Sequence, residues 1–168
     1  MGKRVYLAGP WFTKAQAERE ERLKKRLREL GFEVHSPKED SNITGTFADP
    51  KVRQATFDSN ISHIDDVDIV FAIMDGKRAV CNEEDTNGRV INAIDTGTLF
   101  EVGYAYCLRK KNGKVPVIVY YTETTPEGGF NLMLAQSCDM LITKFEDLDN
   151  LPKWIEEGKT IAYDGMIE

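Results

Sequence analysis

Long apolar runs, a cationic surplus and paired cysteines are all missing from this 168-residue chain. No stretch approaches the roughly 20 apolar residues that a bilayer crossing needs. The opening MGKRVYLAGPW has too short an apolar segment for a secretory signal. Gly2 follows Met1, but Tyr6 stands where myristoylation prefers Ser or Thr. The 3 cysteines, Cys81, Cys107 and Cys138, form no CxxC and no Cys/His metal spacing. Reduced thiols in a cytoplasmic protein are therefore expected. With 22 basic against 28 acidic residues the net charge is -6, and no face is basic enough to hold polymeric nucleic acid. The one basic run, 19–28, alternates with Glu and Leu at helical spacing and reads as a solvated helix face. There is no P-loop, no GxGxxG and no nucleophile-elbow sequence. The 2 histidines, His35 and His63, are isolated along the chain and suggest no zinc site. Neither a metal nor an organic cofactor is expected, and neither is a membrane or nucleic-acid partner.

What is present is an ordinary globular balance, 41% apolar and 30% charged, in a length that suits a single domain spanning 1–168. Strand and helix signals alternate throughout. Residues 4–8 (RVYLA) form a β-prone run stopped by Gly9-Pro10. Residues 15–30 make an amphipathic helix with Leu23, Leu27 and Leu30 on one face and Gly31 as its stop. A second strand covers 32–36. Asp49-Pro50 can open a helix that turns Val52, Ala55, Ile61 and Ile64 toward a core. Residues 67–74 (VDIVFAIM) read as a central strand covered on both faces. A helix over 99–109, a strand over 115–121, a short helix over 131–136, a strand over 140–143 and a closing helix over 148–157 complete the pattern. This predicts a doubly wound α/β sandwich with five parallel strands in flavodoxin-like order and the ligand at their carboxyl ends. Residues 76–93 break the rhythm, being polar, glycine-containing and long for a strand-to-helix connection. That segment is either a lid or an insertion.

The segment 95–105 (DTGTLFEVGYA) carries the chemistry. Asp95 is an N-cap candidate, and Glu101 falls in the first two turns of the helix it opens. There the helix dipole is expected to keep the carboxylate ionised at neutral pH, as a nucleophile attacking an anomeric carbon requires. Gly97 would let a sugar ring approach the backbone. Breaking an N-glycosidic bond resembles O-glycoside cleavage, with an oxocarbenium-like transition state facing a carboxylate. The bland alternative is a capped surface helix with a solvated Glu. Against it, Leu99, Val102, Ala105 and Tyr106 mark the helix as largely buried.

With these residues the chain resembles the nucleoside 2-deoxyribosyltransferases, whose signature places an Asp and a Gly-Thr or Gly-Ser pair before Glu-(Ile/Val/Leu)-Gly. Three further segments match in order: Tyr6-Leu7-Ala8-Gly9-Pro10-Trp11-Phe12, Arg53-Gln54-Ala55-Thr56-Phe57 through Ile64, and Phe130-Asn131-Leu132-Met133. The resemblance implies that Glu101 holds the deoxyribosyl group covalently and that Tyr6 hydrogen-bonds and positions it. It also implies that Asp95 binds the 3′ side of the sugar or assists the departing base. Gly9, Trp11 and Phe12 would line the base site, the two aromatics sandwiching the base. Asn60 stands where well-known members carry an Asp tied to base recognition or protonation. Asn131, with Met133 beside it, would reach the 5′-hydroxyl of a neighbouring subunit's substrate, within hexamers built from dimers. For Tyr6 the competing role is core packing, and for Asp95 and Asn131 it is helix capping. The Arg-x-Ala-Thr and Met-Leu-Ala-Gln pieces resemble purine-using members.

The expected activity is exchange of the base of 2′-deoxyribonucleosides with free nucleobases, without a cofactor. One alternative is a hydrolase of deoxynucleosides or their 5′-monophosphates using the same Glu101. Another is a non-catalytic nucleotide-sensing module, which would have no use for a buried nucleophile.

Overall fold

The computed structural model of the chain describes residues 2–40, 43–75, 77–80, 90–111, 116–123, 130–165 and 167. Strand β1 (Arg4–Ala8) is buried along most of its length. Its side chains alternate, Val5 and Leu7 entering one core layer and Tyr6 and Ala8 the other. Helix α1 (Lys14–Glu29) starts on a capping box in which Thr13 and Gln16 satisfy each other's backbone amides. It ends at Gly31, whose φ of 89° is open to glycine at little cost. Strand β2 (Glu33–His35) and the single turn α2 (Pro37–Asp40) follow. Helix α3 (Pro50–Asp65) begins with Pro50 behind an Asp49 cap. All residues of β3 (Ile69–Ile73) are buried, as a central parallel strand demands. The chain then runs through β4 (Lys77–Val80), β5 (Val90–Ala93), α4 (Thr96–Lys111), β6 (Val117–Tyr121), α5 (Leu132–Ser137), β7 (Met140–Ile142), a 3-10 helix (Phe145–Asn150) and α6 (Leu151–Glu156).

The main sheet is five-stranded in the order β2-β1-β3-β6-β7 and wholly parallel, the doubly wound arrangement that the alternation predicts. Leu23 and Leu27 of α1, with Leu148 and Leu151, cover one face of it. Ile64 of α3, Val102 and Ala105 of α4 and Ala135 of α5 cover the other. The winding reverses between β1 and β3, so the crevice of the fold lies at their carboxyl ends. Among the described residues no helix is long and apolar enough to cross a membrane.

Within the 76–93 segment β4 and β5 pair antiparallel, and residues 76 and 81–89 lie outside the described residues. Three local expectations need correction. Ala55 is exposed and Val52 and Ile61 are half-buried, so of the four apolar positions of α3 only Ile64 reaches the core. The run 19–28 is not wholly solvated. Glu20 and Lys24 are buried beneath α2, with Lys24 Nζ 2.6 Å from Glu39 Oε1 and Ser36 Oγ donating to Glu20 Oε1 at 2.6 Å. The closing helix is split, its first half wound as a 3-10 helix. The thiols of Cys107 and Cys138 are free, and Cys81 lies outside the described residues.

Candidate active site

The site begins at the N-terminus of α4, which the chain enters after leaving the carboxyl end of β3. Asp95 caps this helix. Its Oδ2 accepts from Thr98 N at 2.9 Å and from Thr98 Oγ1 at 3.1 Å, and its carbonyl accepts from Leu99 N at 3.1 Å. A Cβ on Gly97 would lie 3.0 Å from that same Oδ2, so the glycine keeps the cap uncrowded while exposing backbone at the rim. Two turns in, α4 shows two faces. Thr98, Val102 and Ala105 are buried; Phe100, Gly103 and Cys107 are exposed. The helix is thus buried along one face rather than over most of its surface, and Glu101 lies on the boundary, half-buried.

Glu101 points at β1. Tyr6 Oη donates a hydrogen bond to Glu101 Oε1 at 2.6 Å, a short contact typical of a charge-assisted bond. Period-2 alternation puts Tyr6 on the α4 side of the sheet, where its ring is wholly buried. Burial raises the Glu101 pKa from 4.5 to about 7, and the charge of Asp95 pushes the same way, while the Tyr6 hydrogen bond opposes both. Against the dipole and free amides of the helix N-terminus, which favour the ionised form, desolvation is the larger effect here, since Glu101 lies past the first turn, where the dipole is strongest. Burial and the adjacent carboxylate hold the Tyr6 hydroxyl far above its usual acidity range, so it stays protonated and remains a donor.

The other named residues have their own surroundings. Trp11 and Phe12 leave the carboxyl end of β1 with their rings stacked at 5.5 Å; Trp11 is half-buried and Phe12 is 73% exposed. Gly9 is buried, and a Cβ there would come within 2.8 Å of Ile73 Cδ1, which gives this glycine a packing reason to be present. Phe57 on α3 touches Phe100, next to Glu101, with ring centroids 5.8 Å apart. The half-buried Asn60 shares the inward side of α3 with His63 and Ile64, at i+3 and i+4. Asn131 caps α5, its Oδ1 accepting from Met133 N at 2.9 Å, and Asn131, Leu132 and Met133 are all exposed. The structure thus joins Tyr6, Glu101, Asp95 and Gly97, and it leaves Asn131 and Met133 on the open surface.

Two residues that stand isolated along the sequence come together. His35 stacks on Tyr6 at 5.6 Å and on His63 at 3.5 Å, so residues distant along the chain form one column of rings. The register produces the first contact, pairing Tyr6 with His35 on adjacent parallel strands, and no local sequence signal announces it.

The family profile described as nucleoside 2-deoxyribosyltransferase matches residues 5–151. Among solved structures, the chain is similar to the 2-deoxyribosyltransferase of the psychrotolerant bacterium Bacillus psychrosaccharolyticus, with 26% identity, a TM-score of 0.73 and coverage of 95% of this chain and 98% of that one. The 2-desoxiribosyltransferase from Leishmania mexicana, at 22% identity and TM-score 0.58, covers 92% of this chain and 97% of its own and shares the fold. So does a conserved protein from Enterococcus faecalis V583, at 20% identity and TM-score 0.51, with 100% and 82% covered. Among curated proteins none matches by sequence.

Proposed function

The chain belongs to the nucleoside 2-deoxyribosyltransferase family, and from that premise we propose that it exchanges the base of 2′-deoxyribonucleosides through a deoxyribosyl ester on Glu101. The observation that carries the reading is the 2.6 Å bond from Tyr6 Oη to Glu101 Oε1 at a half-buried carboxylate. With Oε1 held by Tyr6, Oε2 attacks C1′ and the N-glycosidic bond breaks. The base departs with the bonding pair and gains a proton. In the second half the acceptor base attacks C1′, Glu101 leaves with its electron pair, and the acceptor loses its proton. The exchange is proton-neutral overall. Burial helps twice: the ionised carboxylate is poorly hydrated and so reactive, and its field on an oxocarbenium-like transition state is little screened.

Asp95, with Oδ2 occupied by the cap, offers Oδ1 to the sugar or the departing base. Trp11 and Phe12 stack against the base, a contact tolerant of base identity, and Asn60 meets its polar edge. The aromatic pair Phe57–Phe100, together with Leu132 and Met133 beside Asn131, supports assembly through this side of the molecule. There Asn131, whose NH2 remains a donor while its Oδ1 caps α5, completes a partner's site.

Incubating deoxyinosine with adenine, and with no acceptor, tests the reading. Deoxyadenosine formation supports it, whereas hypoxanthine release that is indifferent to adenine makes the protein a hydrolase. Mixing Asn131→Ala with Glu101→Ala chains tests the shared site: activity should partly return in verified mixed oligomers, and its absence there places Asn131 outside the partner's site.

A further inference from the structure

We propose that His35, backed by His63, is a positioning residue that holds the Tyr6 hydroxyl on Glu101. This rests on the reading of Glu101 as the nucleophile and adds a residue to it. The geometry is a column of three rings. Tyr6 and His35 stack with centroids 5.6 Å apart and planes within 23°, and His35 and His63 stack at 3.5 Å and 13°. The two strands fix the first contact by pairing Tyr6 with His35 in parallel register, and α3 supplies the second.

A phenol oxygen lies on its ring's long axis, so spinning the ring does not move it. A lean of the whole ring, perpendicular to its face, does carry Oη away from the carboxylate. A flat imidazole on that face blocks the lean, and the His63 ring behind it stops His35 from yielding. His35 lies at the edge strand, where a cavity of about 650 Å³ adjoins it. Loss of the His35 ring would open space beside the Tyr6 ring, next to this cavity. The ionisable groups facing the histidine pair there are Arg4 of β1, Glu33 of β2, Glu39 of α2 and Asp66 at the end of α3. Asp95 faces Glu101 from the other side.

The test follows base exchange and the ¹³C titration of the Glu101 carboxyl in the full-length protein. The variants are His35→Ala, His35→Phe, His63→Ala, Tyr6→Phe and the double variant His35→Ala/Tyr6→Phe. His35→Ala should lower kcat roughly tenfold with KM little changed, the size expected when a hydrogen bond to a charged group is weakened. It should also move the Glu101 titration upward, because the bond that favours the ionised form is loosened. His35→Phe restores the flat face without a charge and should return kcat to within about threefold of wild type. In the Tyr6→Phe background, His35→Ala should change neither kcat nor the titration further, since its effect runs through Tyr6. If His35→Ala does not fold, His63→Ala reports on the same column from its outer end and should give a smaller shift in the same direction. Wild-type kcat and titration in His35→Ala, or an effect of equal size with and without the Tyr6 hydroxyl, overturns the proposal. Should the wild type exchange no bases, the parent reading fails, and the carboxyl titration alone still decides whether His35 acts through Tyr6.

Discussion

Glu20 and Glu101 lie on opposite faces of the sheet, the first buried and the second half-buried, and they are partnered in opposite ways. Glu20, on α1, is 2% exposed and surrounded by donors: Ser36 Oγ at 2.6 Å, Lys24 Nζ at 3.5 Å and Lys38 Nζ at 3.9 Å. Lys24 in turn reaches Glu21 and Glu39. Glu101, on α4, has one neutral donor, Tyr6, and its charged neighbour Asp95 has the same sign. A buried carboxylate beside a cation is compensated, and it ties elements together. A buried carboxylate beside a phenol and another carboxylate is left near its titration point, where it can both ionise and attack. Partner sign, more than depth of burial, separates the two glutamates.

Neutralising each glutamate is the strongest way to break that contrast. Glu101→Gln should abolish base exchange, by at least about a thousandfold if attack by the carboxylate is obligatory. It should also stabilise the fold in alkali. The folded pKa of about 7 lies above the usual 4.5, so the fold prefers the protonated form. Stability from this group is complete below pH 4.5, falls as pH rises toward 7, and is lost beyond that. Ionised Glu101 then costs on the order of 3 kcal/mol, which the glutamine removes. Glu20→Gln should do the reverse, leaving exchange intact and weakening the fold by about 2 kcal/mol as buried Lys24 loses a partner. Urea unfolding at pH 8, beside the exchange assay, measures all four outcomes. An active Glu101→Gln, or one that unfolds sooner than wild type at pH 8, contradicts the contrast.

Tyr6→Phe sharpens it by removing the donor that favours the ionised form. The Glu101 pKa should rise above about 7. At pH 7, kcat/KM should fall roughly 10- to 100-fold, the size of a hydrogen bond to a charged group. Part of the loss should return at pH 9. For wild type, the acid limb of kcat/KM should rise with pH through about 7, since the attacking form is the ionised one. A limb near pH 4.5, or a Tyr6→Phe profile merely scaled down at every pH, would show that the phenol does not govern the ionisation of Glu101.

Much of this site was legible because its signals are local. The alternation of VYLA and the run VDIVFAIM define two central strands, and Asp95 before an apolar-periodic segment marks a cap that the structure contains. The sheet order follows from strand–helix alternation with right-handed crossovers. What stayed hidden depends on long-range packing. Nothing near Lys24 in the sequence shows that α2 folds over it, so a buried ion pair looked like a solvated face. The His35–His63 stack needs β2 and α3 brought together, and the Glu101 ionisation depends on desolvation that no spacing rule reports. The antiparallel pairing of β4 with β5 was not legible either, because two runs of four residues carry little signature of their own.

The smallest expected effect isolates the second half of the contrast, the like charge. Asp95 does two things at once: it caps α4 through Thr98 and it raises the Glu101 pKa. Asparagine caps about as well as aspartate, so Asp95→Asn should leave thermal stability nearly unchanged while removing the charge. Alanine loses both functions and should cost about 1 kcal/mol in addition. If the like charge contributes to holding Glu101 near neutrality, the acid limb of kcat/KM in Asp95→Asn moves to lower pH. The position of the limb is the quantity to read, because a lost sugar contact would lower the whole profile without displacing it. An unmoved limb would leave burial alone responsible for the raised pKa. A limb moved upward would mean that Asp95 supports the charge on Glu101 through the end of the helix, and the two glutamates would then differ in degree rather than in kind.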